Sequence, residues 1–196
     1  METRELRDIA VSAIALAFAF ALANVGGIEG VNRLSYALVA AAFIAVSLSF
    51  ICHELGHRFV ARHFGCYAEY KMWKEGLALA LLSSLFGFVF AAPGAVYVHP
   101  KTDLWGAGKA ISRKRYGIIS LAGPVVNLLF AGIFFALHLW NQSDVFLYGI
   151  AINIWLAVFN MIPLPPLDGS KIFAWDKRVW LAFFALCGLL LFWTTI

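Results

Sequence analysis

Apolar and polar positions fall into long blocks along this chain, not into the short alternations of a soluble domain. Residues 9–25 form a first apolar run behind a head of mixed charge, Met-Glu-Thr-Arg-Glu-Leu-Arg-Asp. Ala21-Leu22-Ala23 imitates a signal-peptidase site, but that head is a poor signal-peptide start, so the run reads as an uncleaved first span. A second run begins near residue 34, stays apolar to Cys52 and continues through His53-Glu54-Leu55-Gly56-His57 to Phe64, where Gly65 is placed to end it. At about 1.5 Å per residue, its thirty-odd residues exceed the roughly 30 Å of membrane hydrocarbon, so this helix is expected to protrude at its C-terminal end. Residues 67–73 are short, mixed and aromatic and suggest a strand. The run at 77–98 is broken by Gly87, Pro93 and Gly94 and closes on the strand-like Ala95-Val96-Tyr97-Val98. Spans are predicted at 116–140, 145–162 and 179–196, the first two joined by the polar turn 141–144. Between the last two, Pro163, Pro165 and Pro166 interrupt the helix just before Asp168-Gly169.

Composition agrees with the blocks. Hydrophobic residues make up 62% of 196 and charged residues 13%, about half the charge that a water-facing domain carries. The expectation is an all-α polytopic membrane protein of about five to six transmembrane helices with a small membrane-associated β-hairpin or re-entrant segment. It is read as a single domain over 1–196, with no soluble accessory domain and no internal repeat. Cys52, Cys66 and Cys187 are odd in number and lack CxxC spacing, so they read as packed thiols.

The net charge of +4 does not point to nucleic acid, because the basic residues are split among short segments flanking apolar runs. If residues 77–98 dip in and return, the basic residues of 71–115 share one side with Lys171, Lys177 and Arg178, and the other side keeps only Arg33. By the positive-inside rule the rich side is cytoplasmic, with the N-terminus inside and the C-terminus outside. A crossing at 77–98 would instead split the basic clusters between two faces. A re-entrant path is therefore expected, allowed at lipid depth where the backbone packs on protein or lines a wet cavity.

His53-Glu54-Leu55-Gly56-His57 is an HExxH pattern. Four residues apart on a helix, two imidazoles share a face and can take adjacent corners of a zinc tetrahedron, with Glu54 beside them to accept a proton from activated water. Ionisable groups within a membrane helix are costly and usually functional. A catalytic zinc needs a third protein ligand. His63 sits at the metzincin spacing, but Val60 stands where that pattern has its glycine, and on a continuing helix His63 points away. Glu69 and Glu75 lie in a polar, basic segment that reads as solvated. Asp168 is the stronger candidate, because in the five-span arrangement its proline-broken segment ends on the same side as His53 and His57.

These residues, with Gly123-Pro124-Val125-Val126-Asn127 opening one span and Asn160 through Asp168-Gly169 closing another, resemble the site-2 protease family of intramembrane zinc metalloproteases. The resemblance covers residues 34–175. It implies one catalytic Zn2+ held by His53, His57 and Asp168, with Glu54 as general base and acid. It also implies a transmembrane protein substrate cut within or near the bilayer, often to release a regulator. The 77–98 region looks like the family's membrane-associated hairpin. The closing motif reads Pro-Pro-Leu-Asp-Gly, not the Asn-Pro-Asp-Gly of some members, so the role of Asn160 is open. Asn127 and Asn160 are candidates for binding the substrate backbone or the oxyanion; Asn153 reads as interhelical glue. The expected location is the cell membrane, with the active site towards the cytoplasmic side. Two other classes remain to be weighed: a membrane zinc peptidase acting on soluble or prenylated peptides, and a metal or proton transporter.

Overall fold

A computed structural model describes residues 3–100 and 110–195. Lys101 and Lys109, two of the basic residues of the 71–115 segment, lie outside the described residues, as does Ile196. The elements run α1 (Thr3–Asn24), a 3₁₀ turn (Gly27–Arg33), α2 (Tyr36–His63), β1 (Cys66–Met72), α3 (Lys74–Ser84), β2 (Gly94–Pro100), α4 (Arg113–Trp140), α5 (Asp144–Asn160), α6 (Asp168–Trp175) and α7 (Lys177–Thr195). Among the described residues, α1, α2, α4 and α7 are long and apolar enough to cross a membrane, and α5 is a shorter apolar helix of 17 residues. The chain is an integral membrane protein.

Local chemistry sets the helix ends. Ser35 accepts from the amide of Leu38 at 3.2 Å and Ser112 from that of Arg115 at 3.3 Å, each satisfying a donor left open by the first turn. At the other end of α2, Gly65 has φ +69°, a left-handed conformation that lets the chain turn into β1. With 28 residues, α2 is about 42 Å long and outreaches the hydrocarbon, as expected.

Residues 77–98 do not cross. The excursion opens at Trp73 and closes at Pro93, and the Trp73 amide donates to the Pro93 carbonyl at 2.9 Å. Its outbound limb is α3, only 11 residues long, and its tip reaches the turn after α1, where the Ile28 amide donates to the Leu85 carbonyl at 2.9 Å. The return limb is irregular, and other elements satisfy its backbone: the Ser83 hydroxyl accepts from the Phe90 amide at 2.9 Å, and the Trp155 indole donates to the Val89 carbonyl at 3.3 Å. β2 then pairs antiparallel with β1, Met72 opposite Gly94 and Cys66 opposite Pro100. The two strands are thus joined through α3 and not by a tight turn.

The main core gathers Leu16 of α1, Val46 and Phe50 of α2, Tyr70 of β1, Val89, Ile119 of α4 and Ile152 of α5. A buried ion pair fastens the start of α1 to this frame. Arg58, one residue beyond His57, donates to Glu5 and, at 3.1 Å, to the Ala68 carbonyl, while the Tyr70 amide donates to Glu5 at 3.1 Å. α7 lies at the periphery, with Leu181, Leu189 and Trp193 outward.

Candidate metal centre

The HExxH pattern on α2 places the two imidazoles edge to face, 4.6 Å between ring centroids, with their Nε2 atoms 3.0 Å apart. Each ring is held from behind by its other nitrogen. His57 Nδ1 lies 2.7 Å from the Ile119 carbonyl, and since a carbonyl only accepts, Nδ1 carries the proton and Nε2 keeps its lone pair. His53 Nδ1 bonds the side-chain oxygen of Asn127, whose amide donates to Asn153 at 3.2 Å; Asn153 in turn donates to the Gly149 carbonyl at 2.8 Å. This relay through α4 and α5 fixes the same tautomer in His53 and aims both Nε2 atoms into one space.

Close approach of α4 to this face depends on two glycines. A Cβ on Gly56 would stand 2.8 Å from Val126, and one on Gly123 would stand 2.4 Å from His57 Nε2 and 2.5 Å from His53 Nε2. Gly123 therefore leaves open the volume between the imidazoles that a metal ion would fill.

Asp168 completes the cluster. The interrupted segment after α5 returns the chain, tied by the Leu167 amide to the Leu164 carbonyl at 2.9 Å and by the Trp180 indole to the Met161 carbonyl at 2.7 Å. As the first residue of α6, Asp168 brings Oδ2 to 2.9 Å from His57 Nε2 and 3.3 Å from His53 Nε2. The three donor atoms all lie within 4.8 Å of one another, and the residues are buried. Metal–ligand bonds of about 2.0–2.2 Å to nitrogen and oxygen in a tetrahedron put donors about 3.3–3.5 Å apart, so this triangle needs little change to close on zinc. The donor set of two neutral imidazoles and a carboxylate, with space for a fourth position, has the chemistry of an open catalytic site.

Glu54 borders the same cleft together with Val96, Asn160 and Asp168, and its buried Oε2 has no hydrogen-bond partner among the described residues. A carboxylate oxygen left unpaired in such a setting is unusual and is available to water or substrate. Asn160 lines the cleft half-buried, its amide donating to the Leu156 carbonyl at 3.0 Å. Asn127, grouped with it at the sequence level, is fully buried behind His53 and faces away from the cleft lining. His63 and Glu75 are exposed, and Glu69 pairs with Lys71 at 3.5 Å; none joins the donor cluster.

Sequence reasoning counted Lys171 only as a topological charge. Its Nζ lies 3.2 Å from Asp168 Oδ1, the oxygen turned away from the histidines. α6 lies outside the spanning helices, and there burial opposes the charge of both partners but is outweighed. The Lys171 ammonium helps hold Asp168 well below the usual carboxylate range, and Asp168 holds Lys171 above its ordinary value. The salt bridge fixes the rotation of the carboxylate. Lys171→Met is expected to weaken zinc binding about 10–100-fold in a chelator-competition titration, with Lys171→Arg largely restoring it. The i, i+3 spacing of Asp168 and Lys171 on a short helix was the signal that could have found this pair.

Comparison with known proteins agrees with this geometry. The profile of Peptidase family M50 matches residues 41–143, just over half of the chain. A protein of Methanocaldococcus jannaschii named "Putative zinc metalloprotease MJ0611" is 38% identical over 183 residues, 90% of this chain and 87% of its own. Relatives with the same description are 30% identical in Bacillus subtilis, over 71% of each chain, and 31% identical in Mycolicibacterium smegmatis, over 82% of this chain and 65% of that one. No solved structure matches at a significant level. With the profile spanning the HExxH helix and the Gly123–Asn127 motif, and a relative aligned over nearly the whole length, the chain belongs to peptidase family M50, the site-2 protease family.

Proposed function

We propose that this membrane metalloprotease is an intramembrane endopeptidase, cutting peptide bonds within or near transmembrane segments of membrane-protein substrates and so releasing regulated segments from the bilayer. One observation carries the reading: the buried His53, His57 and Asp168 donors share a cleft with the unpaired Glu54 carboxylate inside a bundle of apolar helices. These three residues would hold one catalytic zinc ion, which when bound polarises the scissile carbonyl and acidifies water.

The remaining steps belong to the chain's own groups. Glu54 Oε2 takes the proton as the water oxygen bonds to the carbonyl carbon, then delivers it to the amide nitrogen as the C–N bond breaks, leaving a carboxylic acid and an amine. Asn127 acts behind His53, holding its tautomer. Asn160, on the cleft wall, is the residue that meets the substrate backbone. A substrate segment must be extended to be cut, and β2 offers an edge with no second strand neighbour among the described residues. The active site faces the cytoplasmic side of the cell membrane in this reading, following the basic residues at 71, 74, 113–115, 171, 177 and 178, and residues 1–196 act as one transmembrane protease domain.

The test compares substrates in liposomes. The reconstituted protein is expected to cleave a transmembrane peptide, to lose that activity to 1,10-phenanthroline and to regain it with zinc. Faster cleavage of a prenylated soluble peptide would move the reading to the peripheral peptidase class, and zinc flux without cleavage would move it to a transporter.

A further inference from the structure

Glu54 borders a second space besides the metal cleft. Behind this side chain lies a cavity of about 200 Å³ between α1, α2 and the strands, walled by Leu6, Ile9, Ile51, Leu55, Ala68 and Val96. Glu54 and Val96 border both this cavity and the cleft that carries the donor cluster. On its other side the cleft passes Gly94, Ala95 and Pro166 into a wider opening beside Trp73 and Tyr97. Three spaces are thus strung along β2. Because successive side chains of a strand point to opposite faces, Ala95 and Tyr97 border the outer one and Val96 the inner one.

We propose that the inner cavity is a subsite for the side chain of a substrate residue flanking the scissile bond, and that it takes a large apolar side chain of leucine, methionine or phenylalanine size. This rests on the endopeptidase reading and adds a sequence preference to it. Size supports it, since an apolar cavity of about 150 Å³ accommodates benzene. The charged groups at the cavity are Glu5, Arg58 and Glu54; Glu5 Oε1 is bound to Arg58, and Glu5 Oε2 and Glu54 Oε2 have no hydrogen-bond partner among the described residues. An acidic substrate side chain would lose its water there and meet two carboxylates, while the walls that remain are apolar. The shared border favours this occupant: a peptide lying against β2 with its scissile bond at the donor cluster would bring a neighbouring side chain to Glu54 and Val96, which line both spaces.

The test uses zinc-binding peptide hydroxamates that differ in one side chain, measured by equilibrium binding to the zinc-loaded protein in detergent, alongside cleavage of transmembrane substrates varied at the residues flanking the cut. The parent protein is expected to bind the isobutyl and benzyl compounds at least about tenfold more tightly than the methyl compound, the scale on which apolar pockets discriminate methylenes. Ala68→Leu, which fills the cavity from a position 3% exposed, should erase that difference while leaving the methyl compound within about twofold. Ile51→Ala should move the preference to the bulkier benzyl compound, and it decides the matter if Ala68→Leu loses its zinc. Equal binding of methyl and isobutyl compounds by the parent overturns the subsite, as does an unchanged preference in variants that keep zinc. Binding preference without cleavage of any transmembrane substrate would leave the subsite standing and overturn the endopeptidase reading. Cleavage with no side-chain preference would do the reverse.

Discussion

Glu54→Gln is expected to abolish cleavage while leaving the metal in place. Glutamine keeps the shape of the side chain and removes its capacity to take a proton, and positioned acid–base groups of this kind contribute about 10²–10⁴-fold in rate. Glu54 points into the cleft but is not one of the three clustered donors, so the variant should hold as much zinc as the parent. The two measurements belong together: turnover of a transmembrane substrate in liposomes, and metal content by elemental analysis. Residual activity within about tenfold of the parent would remove Glu54 from the role given to it. Loss of activity together with zinc would show that the side chain supports the metal site instead.

Asp168→Ala is expected to have the opposite signature. It removes the oxygen that stands 2.9 Å from His57 Nε2 and leaves two imidazoles, a set too small for a catalytic zinc site with three protein ligands. It also strands Lys171, whose ammonium pairs with Asp168 at 3.2 Å. Zinc should fall from one equivalent to a small fraction after purification, and cleavage should disappear with it. Asp168→Asn, which keeps the size and one neutral oxygen, should retain more metal than the alanine variant. Unchanged zinc in Asp168→Ala would exclude Asp168 as the third ligand.

Much of this arrangement could be read from local pattern. The long second helix and its stop at Gly65, the strand character on either side of the broken run, and the return of Asp168 to the side of His57 all follow from spacing, glycine and proline. The charge pattern predicts that the run at 77–98 re-enters, and the chain does return on itself, with Pro93 inside the run bonded to Trp73 just before it. The positions of the asparagines were less legible. Asn127 and His53 are 74 residues apart, and whether the amide faces the cleft or the back of an imidazole depends on the rotation of α4 about its own axis. That rotation is set by the contacts of Gly56 and Gly123, which spacing alone does not encode. Asn153, read as interhelical glue, does join α5 to α4, but through the residue that holds His53. Glu5 and Arg58 went unnoticed for a related reason. In sequence, one belongs to a charged head and the other to a helix end, and only the packing of α1 on α2 makes them a buried pair.

The donor triangle also ties together parts of the molecule that lie far apart in the chain. His53 and Asp168 are separated by 115 residues, and a single ion gripped by both acts as a cross-link between α2 and the segment that enters α6. Whatever binds only the folded state stabilises it by mass action, about 2.7 kcal/mol at a ligand concentration one hundred times Kd. Losing the ion removes that stabilisation from the cleft, while α6 stays packed against α4 and α7 through Ile172 and Trp175. Zinc supply in the membrane's surroundings would then govern the working lifetime of the protein as well as its turnover.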